Sequence, residues 1–171
     1  FSGLDAVASQ FCLYRTQNSS WAKALKIGFA IHFVSVICII SLILYMMHQH
    51  FYEFQYVWAH VSDELPTRYI LSAFWEGQEG SFFFFFFWNS ALASIFILSK
   101  NNTFRWMCGS IIIGVNLILS TMLLGVYVGD FRLGSNPFVL LRHTMDIPLF
   151  KNAEYTSLIK GNGLNPLLQN Y

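Results

Sequence analysis

Charge is what this sequence has least of. Among its 171 residues, 10 are Lys or Arg and 9 are Asp or Glu, 11% in all, against about 25% in an ordinary soluble domain. The few charges are also segregated: residues 27–47, 80–99 and 106–129 contain none. A soluble globular fold is disfavoured, and a hydrophobic content of 55% excludes intrinsic disorder. Cysteine is scarce too. Cys12, Cys38 and Cys108 are odd in number and form no Cys-x-x-Cys pair, which speaks against a disulfide scaffold and against a redox or metal role. They read as small buried hydrophobes. The net charge is +1 and no basic stripe interleaves with aromatics, so nucleic acid is not an expected partner.

What the chain has instead is apolar length. Phe alone contributes 18 residues. The run 27–47 has 21 residues, about 31 Å as a helix, which matches a hydrocarbon core of about 30 Å. The run 82–98 has 17 residues, about 26 Å, and gains length if Gly80 and Ser81 join it. The run 107–128 has 22, about 33 Å. A helix satisfies its own backbone hydrogen bonds, as lipid demands. Residues 1–14 are mostly apolar but carry Asp5 and reach only about 21 Å. They read as the end of a truncated transmembrane helix. The expected fold is all-α: a polytopic transmembrane helical bundle of three full spans plus the end of a fourth, with two extracytoplasmic loops.

Lys and Arg in the short loops set the orientation. Arg15, Lys23 and Lys26 make the loop 15–26 basic, and Lys100 and Arg105 do the same for 99–106, with no acid in either. Both are expected in the cytoplasm. The segment 48–81 holds Glu53, Asp63, Glu64, Glu76 and Glu79 against Arg68, and is expected outside. The tail 129–171 must then lie outside as well. The spans carry no ionisable group other than His32, so a binding surface at the outer membrane edge is expected rather than a pore.

Two motifs stand out on that side. In Trp75-Glu76-Gly77-Gln78-Glu79-Gly80, two carboxylates three residues apart could act as acid and base, as metal ligands or as partners for a cation, and the glycines allow close backbone approach. Equally, Glu79 could favour the first turn of the next helix through its dipole. The six consecutive phenylalanines at 82–87, followed by Trp88, point all around a helix. They serve lipid and packing contact, or form on one face an aromatic wall for a flat apolar ligand. Trp75 also fits an interfacial belt. No pair among His32, His48, His50, His60 and His143 has metal-binding helical spacing. His32, inside its span, is suited to a hydrogen bond across helices or to a relay. Asn89, Ser94, Asn116, Ser120 and Thr121 read as interhelical glue. The Asn-Pro pairs at Asn136-Pro137 and Asn165-Pro166 mark turns.

The order Leu65-Pro66, Trp75-x-x-x-Glu79-Gly80-Ser81, a span, a short basic loop, a span, Ser135-Asn136-Pro137-Phe138 and Gly161-x-Gly163-Leu164-Asn165-Pro166-Leu167-Leu168-Gln169 resembles the cytochrome c assembly family. More narrowly, it resembles the CcmF-type haem lyase subunit of cytochrome c maturation, across residues 27–169. The resemblance implies a larger protein of the bacterial inner membrane, with functional loops on the outer side. That protein would bind haem and help join it to the Cys-x-x-Cys-His thiols of apocytochrome c, alongside other cytochrome c maturation proteins. The family's haem-handling core is a Trp-rich outer loop flanked by loops that carry axial histidines, preceded by a His-Pro-Pro stretch. This chain stops at Tyr171 before them, and none of its five histidines matches a family haem ligand. The resemblance therefore implies an N-terminal piece without catalytic residues or metal ligands, inactive alone. Docking of haem or apocytochrome is expected at Trp75, Glu76, Gly77, Glu79, Gly80, Asn136, Pro137, Gly163, Asn165, Pro166 and Gln169.

Two other readings compete. A non-catalytic membrane scaffold of a cytochrome assembly complex needs only the motifs and no chemistry. A fragment of a multi-pass transporter would want ionisable or unwound segments at mid-membrane, where the spans offer only His32 and no proline.

Overall fold

The computed structural model describes residues 19–98, 102–129, 131–145, 150 and 155–163. The described residues are mainly helical, with one small hairpin. Helix α1, Ser19–His48, has 30 residues and begins earlier than the uncharged run it contains. Ala22, Lys23, Ala24, Leu25 and Lys26 are all strong helix formers, so part of the expected basic loop is helical. The helix closes with a paired-turn motif: the amides of Phe51 and His50 donate to the carbonyls of Met46 and Met47 at 3.1 and 3.3 Å. His50 sits there with φ of 56°, the left-handed position where glycine is usual.

The segment 48–81, expected as a loop, is mostly ordered into short elements. Helix α2 is Gln55–His60. A 3-10 turn, Thr67–Tyr69, follows Pro66 and leads into α3, Ile70–Glu76. Gly77 is extended, with φ −70° and ψ 144°. Helix α4, Gln78–Leu98, starts immediately after it, with Glu79 in its first turn, where the helix dipole favours negative charge. Gly80 and Ser81 therefore lie inside α4. Helix α5 is Asn102–Leu124. It stops short of residue 128 because Gly125 turns with φ of 69°. The Val-Tyr-Val that follows forms β1, Val126–Val128, paired antiparallel with β2, Phe131–Leu133, in the register Val126↔Leu133. A 3-10 turn at Leu141–His143 and a short helix α6, Tyr155–Leu158, complete the described residues. Residues 1–14 lie outside them.

Two helical stretches, Lys26–His48 and Gln78–Ile97, are long and apolar enough to cross a membrane. Across an 18-residue apolar portion of each, only 22% and 33% of the residues are buried, whereas the core helix of a soluble protein is mostly covered. A shorter apolar stretch, Ile111–Leu124, lies in α5. Inside the bundle the three long helices share one polar junction. The Ser90 hydroxyl donates to the Phe86 carbonyl at 2.7 Å, so its lone pairs accept from His32 Nε2 at 3.1 Å and from Asn116 Nδ2 at 3.4 Å. His32 thus carries its proton on Nε2, and it does make the hydrogen bond across helices that its position invites.

The buried apolar core sits at one end of the bundle. Met46 and Met47 at the end of α1, Tyr56 and Val57 of α2, Ala73 and Phe74 of α3, Phe83 of α4 and Leu123 of α5 all belong to it. Small elements that could not bury an apolar face alone are held by this shared cluster, which forms a cap over the helix ends.

Candidate functional site

The cap is built around Tyr56. Its hydroxyl donates to the carbonyl of Phe74 at 2.6 Å, which otherwise lacks a helical partner at the α3–α4 break. Its ring fills the space beside Gly77 and Gly80. A Cβ on Gly77 would lie 2.6 Å from Tyr56 Cε2, and one on Gly80 would collide with the Phe74 carbonyl oxygen. The two glycines of the Trp75–Gly80 motif are therefore where the phenol and the helix break come together. Burial pushes the Tyr56 phenol well above its ordinary range, and the nearby carboxylates of Glu79 and Glu76 push it the same way. The group stays neutral and acts as a donor. Tyr52 is raised likewise, first by burial and then by Asp63, whose Oδ1 accepts its hydroxyl proton at 2.7 Å.

His60 stacks on Tyr56 with ring centroids 4.6 Å apart. Its Nδ1 donates to the Tyr56 carbonyl at 2.8 Å, which places a proton on Nδ1. Among the described residues, no group of three or more His, Cys, Asp or Glu is placed to hold a metal ion.

The tail folds back over this core. The Gln55 amide donates to the Val139 carbonyl at 2.9 Å and the Leu141 amide donates to the Glu53 carbonyl at 2.7 Å, a bridge between Phe54 and Leu140. The Asn162 amide donates to the Trp58 carbonyl at 2.8 Å, and the Gly163 amide to that of Val61 at 3.2 Å. A Cβ on Gly163 would strike the backbone of His60 and Val61, so only glycine lets the tail approach α2 this closely. Asn136 forms a turn in which its Oδ1 accepts from the Phe138 amide at 3.0 Å. The Ser135 hydroxyl donates to Glu79.

The expected site residues are thus placed as follows. Glu79 meets the Ser135–Phe138 turn directly. Gly77, Gly80 and Pro137 are buried, and Glu76 is exposed at the end of α3. Gly163 docks on the end of α2. Trp75 is 56% exposed and stacks on Phe84 at 4.5 Å. Phe84 in turn meets Trp88 edge-on at 6.1 Å, so an aromatic shelf runs from the cap onto α4. Asn165, Pro166 and Gln169 lie outside the described residues. Sequence reading missed Tyr56, Tyr52 and Asp63. The only signal was Tyr56 and His60 four apart, too ordinary a spacing to notice.

Compared with family models, curated proteins and solved structures, the chain matches none.

Proposed function

We propose that this chain is part of a membrane haem lyase for cytochrome c biogenesis, handling haem at the outer membrane face for covalent attachment to apocytochrome c. One observation carries the reading. The motif strings behind the resemblance are up to 88 residues apart between Trp75 and Gly163, yet they meet at one end of the bundle, with Ser135 bonded to Glu79 and Gly163 seated on α2. In this reading the chain forms three spans of a larger polytopic bundle in a bacterial inner membrane. The acidic segment 48–81 and the tail 129–171 lie outside, and the loops 15–26 and 99–106 lie inside. Haem, when bound, supplies the vinyl groups for thioether formation, and its axial ligands come from elsewhere in the assembly. This chain's residues shape the docking surface. The Trp75–Phe84–Trp88 shelf offers flat apolar contact and keeps water away, while Glu76 and Glu79 give the rim its negative charge. The scaffold reading draws on a different observation: Gly77, Gly80 and Glu79 all have partners within the cap itself.

The test is cytochrome c assembly with a co-expressed apocytochrome, in the full protein carrying Glu76→Gln and Glu79→Gln together. The lyase reading expects holocytochrome yield to fall at least tenfold, the size of loss a 1.4 kcal/mol change in docking produces. An unchanged yield sinks it in favour of a scaffold.

A further inference from the structure

A groove with a charged mouth lies at the end of the bundle opposite the cap. It opens between α1 and α4, has a volume of about 70 Å³, and is lined by Lys26, Phe29, Ala30, Ser94 and Ile97. Its origin is local. Deeper in the same interface, large rings face each other: His32 and Phe86 at 5.3 Å, and Phe33 and Phe87 at 5.7 Å. Towards the basic end, Ala30 and Ser94 replace such rings and leave the space open. The floor is apolar, since Phe29 and Ile97 are buried at 4% and 2% exposure. An open-sided groove lined mainly by apolar surface in this position suits a hydrocarbon chain, which lies along its floor without needing polar partners.

Charge identifies the head of the occupant. Lys26 stands at the mouth of the groove and is exposed, and Lys23, three residues back on the same helix, is exposed as well. No Asp or Glu occurs between residues 15 and 47 to neutralise them. We propose that this groove is a binding site for one anionic phospholipid, with an acyl chain along Phe29, Ala30 and Ile97 and the phosphate held by Lys26 with help from Lys23. The proposal rests on the membrane reading above, but not on the haem reading. Phosphates are attracted to such juxtamembrane cations by about 1 kcal/mol per lysine, or about fivefold in affinity.

The experiment uses the full chain, purified in detergent and reconstituted into vesicles of phosphatidylcholine with one-tenth phosphatidylglycerol. Flotation is scored first, and the lipids retained after re-extraction are then counted by native mass spectrometry. The proposal expects phosphatidylglycerol enriched about fivefold or more over its share, losing about fivefold in Lys26→Ala. In Ala30→Phe, whose ring fills the groove, retention of phosphatidylglycerol should be lost while flotation stays normal. Equal retention of the two lipids by the wild type overturns the proposal and leaves the groove to a segment of this chain. Enrichment that survives Ala30→Phe also overturns it, because charge alone would then be selecting lipid at the surface. Failure to float with the vesicles overturns the membrane reading itself, a result distinct from loss of lipid selectivity.

Discussion

The cap and the helical stems below it are made from the same apolar residues used in opposite ways. In the stems, Ile95, Ile111 and Ile118 are 65%, 61% and 62% exposed. In the cap, Val57, Val61 and Phe74 are at 0%, 0% and 2%. A residue facing hydrocarbon gains nothing from burial against another helix, because lipid is as apolar as the interior. Stems of this kind are held mainly by shape, with a few buried polar contacts such as His32–Ser90–Asn116 adding little. In the proposed membrane setting the cap faces water and is held by the hydrophobic effect. Side-chain truncation should therefore be costly in the cap and cheap on the stem surface.

The largest contrast is between Phe74→Ala and Ile95→Ala. The first empties a fully buried ring site and should cost about 3–5 kcal/mol. The second, on an exposed position, should stay within about 0.5 kcal/mol. Denaturant titration in detergent, followed by near-ultraviolet circular dichroism of the cap aromatics, measures both. Equal losses would mean that the stems pack as a water-soluble core does.

A smaller effect separates packing from chemistry at the glycine motif. Gly77→Ala should destabilise the cap by about 1–3 kcal/mol through overpacking against Tyr56. Because the three nearest atoms to that Cβ all belong to the Tyr56 side chain, pairing Gly77→Ala with Tyr56→Leu should cost less than the two separate losses summed. Strict additivity in the double-mutant cycle would show that the ring is not what keeps position 77 small.

Smaller again is a pH effect confined to the cap. The Tyr52 and Tyr56 phenols hold their protons more tightly when folded, their values being raised from an ordinary 10.0. Stability from this source is complete below pH 10 and fades as the pH climbs above it, because the unfolded chain then loses protons that the folded one keeps. Thermal unfolding between pH 8 and pH 11 should show a decline that Tyr52→Phe and Tyr56→Phe each reduce. An unaltered slope in both variants would place the decline elsewhere.

The smallest effect belongs to the stems. Asn116 makes one long bond to Ser90, and its buried Oδ1 has no partner among the described residues. Replacing it with Leu should change stability by less than about 1 kcal/mol, in either direction. A larger loss would make the junction a principal tie among the three helices.

The same division decides what could be read in the sequence. The uncharged stretches 27–47 and 80–98 fall in α1 and α4, the two helices long and apolar enough to cross a membrane. Such stems are written into composition because lipid asks only for apolar length. The end of α5 was not legible in that way. Absence of charge continues to Gly129, while the helix ends where Gly125 turns left-handed. The cap was least legible. Pattern along the chain does not reveal that Tyr56 sits between Gly77 and Gly80, or that residue 163 reaches back to residue 61. Those contacts come from folding at long range. Glu79 shows both sides: its place in the first turn of α4 follows from the helix dipole, but its bond to Ser135 could not be foreseen.

The measurement that bears most directly on the account is the sidedness of the cap relative to the basic helix end. In a background with the native cysteines replaced by serine, Ser72→Cys reports on exposed α3 and Lys23→Cys on the start of α1. A membrane-impermeant maleimide applied to intact cells should label position 72 and should reach position 23 only after permeabilisation. Labelling of position 23 alone in intact cells would put the cap in the cytoplasm and contradict an outer-face docking surface.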